Sequence, residues 1–326
     1  MKILITGSSG HLGEALVRVL KPLGHDVIGI DVKPSEFTDF VGSISDRQVV
    51  KECMNGVGVV MHTATLHKPH VVTHSKQDFI DTNVTGTLNL LEESIIQGVE
   101  SFIFTSTTST FGDSLRPIKN DPAIWVTEEL TPHVKNIYGA TKLAAEDLCR
   151  LFYRNHKLPC IILKTSRFFP EEDDNKIMRN SFTDANTKAN EFLFRRVDIA
   201  DIVDAHIIAM EKAKDIGYGK YIITADSPFQ QSDLMELRIN AVDVVKRYFP
   251  DFEKHYQMNN WKMFSDIGRV YVNDKARKEL NWHPKYDFQC ILNCLESGVD
   301  YRSKLTQLIS SKGYHEQIFE DGPYPT

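Results

Sequence analysis

No stretch of the 326-residue sequence approaches the ~18 consecutive apolar residues that a membrane-spanning helix needs, so no membrane association is expected. Cysteine is scarce. Cys53, Cys149, Cys160, Cys290 and Cys294 are odd in number and scattered, which excludes a disulfide framework and suits free thiols in a reducing compartment. No pair of them has zinc-ribbon spacing. An excess of positive charge is also missing: 38 Lys and Arg stand against 44 Asp and Glu, a net of −6, so no basic face for nucleic acid is expected. Residues 1–6 run straight into glycines without a signal-type apolar region, and no repeat or low-complexity tract follows. These absences predict a cytoplasmic protein. With 41% hydrophobic residues the chain has apolar material for one or two domains.

What is present is an alternation. Short β-branched runs at 3–6, 27–31, 57–62, 102–106 and 161–164 read as buried strands, and their unbroken apolar character predicts a parallel sheet covered on both faces. Between them, Leu12, Leu16, Val19, Leu20 and Leu23 form one helical stripe, and Val84, Leu88, Leu91 and Ile95 form another. Repeated βα units predict an α/β fold, a Rossmann-like doubly wound parallel sheet, with a smaller mixed α/β substrate lobe. The expected division is a cofactor-binding domain at 1–165 and a substrate lobe at 166–326, with about 195–225 returning to the first. Within the lobe, Leu234, Leu237, Ala241, Val244 and Val245 predict a packed helix. Trp261 and Phe264 either fill its core or roof a pocket, and core is favoured. Residues 320–326 read as a loosely held tail.

The first strand opens into Gly7-Ser8-Ser9-Gly10-His11-Leu12-Gly13 and then a helix. Glycines allow a tight turn and close backbone approach, and a helix N-terminus supplies N–H groups and positive dipole to a pyrophosphate. Asp31 ends the second strand, where a carboxylate accepts from adenosine ribose hydroxyls and repels a 2′-phosphate. NAD is therefore expected over NADP, although Lys33 lies close by.

Tyr138-Gly139-Ala140-Thr141-Lys142 places a phenol and an ammonium one helical turn apart. A phenol with an ordinary pKa of about 10 is a poor base at neutral pH, and a neighbouring cation lowers it toward the working range. Upstream, the strand at 102–106 delivers Thr107, Thr108 and Ser109 to the sheet edge where open α/β sheets bind ligands.

With those residues in hand, the chain resembles the extended short-chain dehydrogenase/reductase superfamily, in its nucleotide-sugar epimerase and dehydratase branch. The segments that carry the resemblance are 3–13 (ILITGSSGHLG), 60–64 (VMHTA), 83–88 (NVTGTL), 104–112 (FTSTTSTFG), 138–142 (YGATK) and 275–284 (KARKELNWHP), in the family's order. The resemblance implies Thr107 as the catalytic hydroxyl, Tyr138 as general acid/base and Lys142 as its electrostatic partner. It implies NAD contacts from Gly7, Ser9, Gly10, His11, Leu12, Gly13 and Asp31, and from Ser43 and Ile44 near adenine, with Ser43 replacing the usual aspartate. Thr63, Ala64 and Thr65 match the loop lining the cofactor, and Asn83 matches a position supporting those loops. A homodimer built on the helices after Asn83 and Tyr138 is implied as well.

The match weakens where the family ends a strand in Arg-Tyr-Phe-Asn, because the chain reads Arg167-Phe168-Phe169-Pro170. The usual Thr-Asp-Glu of dehydratases reads Thr107-Thr108-Ser109, which disfavours dehydration. His67, Thr108, Arg167 and Arg269 are candidate substrate contacts. His67, His70 and His74 have ligand-like spacing, but no cysteine or carboxylate cluster accompanies them, so no metal is expected and an active-site loop is preferred. The leading expectation is an NAD-dependent sugar or nucleotide-sugar epimerase. The alternatives are a dehydrogenase or reductase of a smaller carbonyl or sugar acid, and a non-catalytic dinucleotide-binding module.

Overall fold

The computed structural model describes residues 1–313 and Phe319, so the tail expected at 320–326 lies outside the described residues. Nine strands occur among the described residues: β1 (Lys2–Thr6), β2 (Asp26–Asp31), β3 (Phe40–Val41), β4 (Val59–His62), β5 (Ser101–Thr107), β6 (Ile124–Val126), β7 (Cys160–Thr165), β8 (Tyr218–Ile223) and β9 (Arg269–Tyr271). Seven form one sheet in the order β3-β2-β1-β4-β5-β7-β8, and every pairing from β3 to β7 is parallel. The five expected strands are all there. Their apolar runs are unbroken because both faces are covered, and all four residues of β4 and all six of β7 are buried.

The order turns around between β1 and β4, which leave the first pair of strands on one side and the later ones on the other. In a doubly wound sheet this switch point opens a crevice at the carboxyl ends of the strands. Gly7, Asp31, Thr63 and Thr108 directly follow or end β1, β2, β4 and β5 there.

The described chain divides into two compact units. The first comprises Met1–Thr110, Val134–Thr165 and Ile202–Tyr221, and the second Phe111–His133, Ser166–Asp201 and the chain from Ile222. Residues 111–133 thus group with the second unit, and the returning segment is 202–221. Leu4, Val60, Leu90, Leu91, Phe102, Phe104 and Ile162 anchor the core of the first unit.

Two helical stripes differ from expectation. The helix His11–Leu20 stops before Leu23, which is exposed, and Val17 takes the buried place. In Gly86–Gln97 the buried face is Thr87, Leu90, Leu91 and Ser94, whereas Val84 and Leu88 are half-buried and Ile95 is exposed. Of the stripe read from spacing, Leu91 is on the buried face and the other three lie on its flank.

In the second unit β6 and β9 form a parallel pair. The single helix expected over 234–245 is two, Leu234–Leu237 and Ala241–Tyr248, because Asn240 breaks the run and caps the second helix by accepting from the Asp243 amide at 3.3 Å. Leu234, Leu237, Ala241, Val244 and Val245 still join one core with Phe252, Tyr256, Phe264 and Phe288. Trp261 packs against that core and meets Tyr256 and Tyr301 edge-on. Core is the outcome for both Trp261 and Phe264.

Candidate active site

The turn after β1 works because of two glycines. Gly7 has φ +71°, and a Cβ there would stand 2.8 Å from the Ala64 Cα. A Cβ on Gly13 would stand 2.0 Å from the Gly7 carbonyl oxygen, so the helix His11–Leu20 can abut the turn only with glycine there. Gly10 caps that helix, donating to the Gly7 carbonyl at 3.0 Å and accepting from the Glu14 amide at 2.9 Å. Ser9 and Gly10 are half-buried, while His11 and Leu12 are buried in the first turn. The Ser9 amide donates to Asp31 Oδ2 at 3.1 Å and the Lys33 amide to Oδ1 at 2.9 Å, which holds the carboxylate beside the loop. The loop thus has a glycine at both places, 7 and 13, where a side chain would collide with backbone.

Ile44 is buried in the core beneath Gly86, whose Cβ would lie 2.6 Å from Ile44 Cγ1. Ser43, half-buried and bonded to Ser45 Oγ at 2.7 Å, is the side chain left at the surface there.

The loop after β4 is held from three sides. Thr6 Oγ1 accepts from the amides of Thr63 and Ala64, each at 3.1 Å, and pairs with His62 Nδ1 at 2.7 Å. His62 Nε2 meets Thr87 Oγ1 at 2.9 Å, and Thr87 donates to the Asn83 carbonyl at 2.7 Å. With Thr6 already accepting twice and Thr87 donating its proton to Asn83, the arrangement is complete when His62 is neutral, with Nδ1 accepting and Nε2 donating. Burial, with the Lys142 ammonium second, pushes the His62 pKa well below its ordinary value. Asn83 closes the set. Its Oδ1 accepts from Thr65 Oγ1 at 3.0 Å and the Leu66 amide at 2.9 Å, and its Nδ2 donates to the Leu66 carbonyl at 2.9 Å and Thr141 Oγ1 at 3.0 Å.

Tyr138 and Lys142 sit in the first turns of the helix Ile137–His156, which Asn136 caps by accepting from the Gly139 amide at 3.1 Å. Thr107 is the last residue of β5. Its Oγ1 accepts from the Ser109 amide at 3.0 Å. The neighbouring cation is expected to lower the Tyr138 phenol; instead burial pushes it up to about 12, opposed by the Thr107 side chain and not by Lys142. Lys142 donates to the Thr105 carbonyl at 2.7 Å and lies 3.9 Å over the Phe104 ring. Burial lowers its pKa to about 7 against the opposing pull of Glu146. Thr108, buried one residue on, reaches the Thr165 carbonyl at 3.4 Å.

His67 lies at the edge of this set, its ring 6.5 Å from that of Tyr138 and 4.7 Å from His70, with His70 5.1 Å from His74. His70 Nδ1 accepts from the His67 amide at 3.0 Å, which gives the histidines a local turn-forming role. Among the described residues no group of three His, Cys, Asp or Glu is placed to hold a metal ion.

The two arginine candidates belong to the second unit. Arg167 pairs with Asp173 at 2.6 Å and Glu191 at 3.1 Å, and Arg195 and Arg196 each reach Glu191 at 2.7 Å. Burial alone would raise the Glu191 pKa, but these guanidiniums outweigh it and hold the carboxyl well below the usual range. β7 ends at Thr165, so the 167–170 segment compared with the family's strand-end pattern lies beyond the strand. Arg269 is partly exposed along its length, yet its Nε is enclosed without a hydrogen-bond partner.

Spacing did not single out Thr6, Thr87 and Thr141, which tie the loops to the helices, nor the Glu146–Lys164 ion pair buried behind Lys142. A lysine inside the apolar run at 161–164 was the available signal, because a charge in a strand covered on both faces requires a partner.

A glycine turn at the switch point, an acid at the end of β2, Thr107 at the end of β5 and the Tyr138–Lys142 pair on the following helix are set on a Rossmann-like fold. The chain belongs to the NAD dependent epimerase/dehydratase family, whose model matches residues 3–223. It is 34% identical over 152 residues to Uncharacterized protein y4nG of Sinorhizobium fredii, an alignment covering 45% of this chain and 36% of that protein. It is 23% identical over 344 residues to the UDP-glucose 4-epimerase of Rhizobium meliloti, covering 94% and 98% of the two chains. Among solved structures, a short-chain dehydrogenase/reductase superfamily protein from Agrobacterium tumefaciens with bound NAD superposes with a TM-score of 0.65 at 20% identity, covering 91% of this chain and 96% of that one.

Proposed function

We propose that the protein is an NAD-dependent nucleotide-sugar epimerase that works by transient oxidation of its substrate. The observation that carries this reading is the set of Thr107 at the end of β5 and Tyr138 and Lys142, both buried, one turn apart at the start of the helix Ile137–His156. The full-length alignment with a UDP-glucose 4-epimerase supports a UDP-hexose class of substrate.

Bound NAD supplies the hydride acceptor and donor, together with positive charge near the phenol. The residues that would hold it are those of the Gly7–Gly13 loop, Asp31, Ser43 and the 63–65 loop, with Asn83 supporting that loop. Tyr138 takes the proton of the substrate hydroxyl as that carbon is oxidised and returns it when the carbonyl is reduced. Thr107, at the end of β5, donates its hydroxyl to the same substrate oxygen. Lys142 is the cation that this chain contributes to favour the phenolate. The test is incubation with UDP-glucose, UDP-galactose, UDP-arabinose and UDP-glucuronic acid, with epimer ratios read by proton NMR. Conversion of at least one, lost in Tyr138→Phe, supports the reading, and conversion of none removes it.

A dehydrogenase acting on a smaller substrate is the second reading. It is favoured by the engagement of Arg167, Arg195 and Arg196 with Glu191 and Asp173, which occupies cations a diphosphate would use. Net accumulation of NADH with a sugar acid, without epimer formation, would identify it.

The assembly we infer is a homodimer. Ile95 and Ile96 on Gly86–Gln97 and Leu151 on Ile137–His156 expose aliphatic surface, 74% at Ile96, on the two helices the resemblance implicates. Light scattering of wild type against Ile96→Lys tests this, and a monomer at micromolar wild-type concentration would contradict it. Five free thiols support a reducing, cytoplasmic setting. Localisation of a tagged chain in fractionated cells checks it.

A further inference from the structure

Behind the catalytic residues lies an ion pair that the mechanism above does not use. Glu146, one turn beyond Lys142 on the same helix, and Lys164 of β7 have side chains 2% exposed and are in direct contact. Isolated charges are not tolerated at such depth, so a pair there must be held by further hydrogen bonds. Those bonds lead to the active site. Ser106, the neighbour of Thr107 on β5, donates its hydroxyl to the same Glu146 oxygen. Lys164 Nζ donates to Thr110 Oγ1 at 2.7 Å, and Thr110 Oγ1 donates to the Thr107 carbonyl at 2.8 Å.

We propose that Glu146 and Lys164 are positioning residues for the reaction: their ion pair ties the strand end carrying Thr107 to the helix carrying Tyr138 and Lys142, and sets the charge balance around the Lys142 ammonium. The proposal rests on the roles assigned to Tyr138, Lys142 and Thr107 above. The backbone at Thr107 is held through Ser106 on one side and Thr110 on the other, so this strand end cannot shift without stretching a charge-assisted bond. Lys142 lies between opposite influences. Glu146 favours its protonated form and Lys164 opposes it.

The other groups facing this pocket leave Glu146 as the principal acid. Lys142 meets Thr105 and Phe104 of β5, and His62 of β4 and Cys149 of its own helix lie within its electrostatic reach. Cys160 of β7 neighbours Cys149, while Tyr218 and Lys220 of β8 face Glu146, with Lys220 Nζ 4.0 Å from Oε2. Oε2 has no hydrogen-bond partner, so a single carboxylate balances three lysines, one of them at the edge.

The experiment is a pH titration of the lysine side-chain nitrogens by 15N NMR on the NAD-loaded full chain, with Lys142→Met assigning the signal. Relative to wild type, Glu146→Gln should move the Lys142 midpoint down by about one pH unit and Lys164→Met should move it up. The double variant Glu146→Gln/Lys164→Met, which removes the ion pair as a whole and with it the two opposing influences on Lys142, should return it toward wild type and keeps the test intact should a single variant misfold. Ser106→Ala, the mildest change, should lower kcat by about tenfold with KM unchanged, since it loosens Thr107 and not the substrate grip. Midpoints that do not move, or that move in the same direction in both single variants, overturn the proposal, as does an unchanged kcat in Ser106→Ala. The NMR readout does not depend on turnover, so failure of the epimerase reading, seen as no conversion by wild type, is separable from failure of this one.

Discussion

Asn83 Nδ2 donates to Thr141 Oγ1 at 3.0 Å, joining the loop after β4 to the helix that carries Tyr138 and Lys142. Thr141 in turn donates back to the Ile137 and Tyr138 carbonyls at 2.8 and 3.1 Å. One buried carboxamide therefore sets the spacing between the loop after β4 and the first turns of the helix Ile137–His156. Asn83→Ala leaves the Leu66 groups and Thr141 with lost partners, and should destabilise the protein by about 1–3 kcal/mol. It should also weaken NAD binding. Thermal unfolding and NAD titration of the variant check both, and wild-type values would contradict the role.

Tyr138→Phe removes the proton acceptor and little else, since the ring stays in its buried site. Turnover should fall by about 10²–10⁴-fold, with NAD affinity within a few-fold of wild type. Calorimetric NAD titration beside a rate assay separates the two.

Asp31 accepts from the Ser9 and Lys33 amides and faces the place expected for a ribose. Asp31→Asn keeps the shape and removes the charge, so NAD affinity should fall more than NADP affinity does. Equal losses would refute the ribose assignment.

Acid should unfold the protein through two buried histidines. His62 has its pKa pushed well below 6.5, and His206 is lowered to about 4, in both cases chiefly by burial. Below the ordinary histidine value the unfolded chain binds more protons than the folded one, so both contributions are complete above about pH 6.5 and are lost as pH falls below it, that of His206 by about pH 4. His206 bonds Thr105 Oγ1 at 2.7 Å. His206→Gln should flatten the fall in melting temperature between pH 6.5 and 4.5, and an unchanged slope would contradict the assignment.

Much of this was legible in residue order. Strand runs such as 3–6 and 161–164 announce a parallel sheet because burial on both faces leaves no alternation, and Gly7, Gly13 and Asp31 announce the cradle because few other residues fit those places. Other features were hidden for physical reasons. Periodicity put Leu23 and Ile95 on buried faces, but it cannot say where a helix stops or which flank meets the sheet. Arg167 looked like a free cation until the fold brought Glu191, 24 positions away, against it. Ile44 reads as a surface contact until Gly86 closes over it.

The account turns on hydride leaving and returning within one bound complex. The most direct measurement is turnover of a UDP-hexose carrying deuterium at C4, followed by mass spectrometry of the epimer and of the added NAD pool. The account predicts an epimer that retains its deuterium and a free pool without label. Deuterium accumulating in free NADH, or no epimer at all, would contradict it.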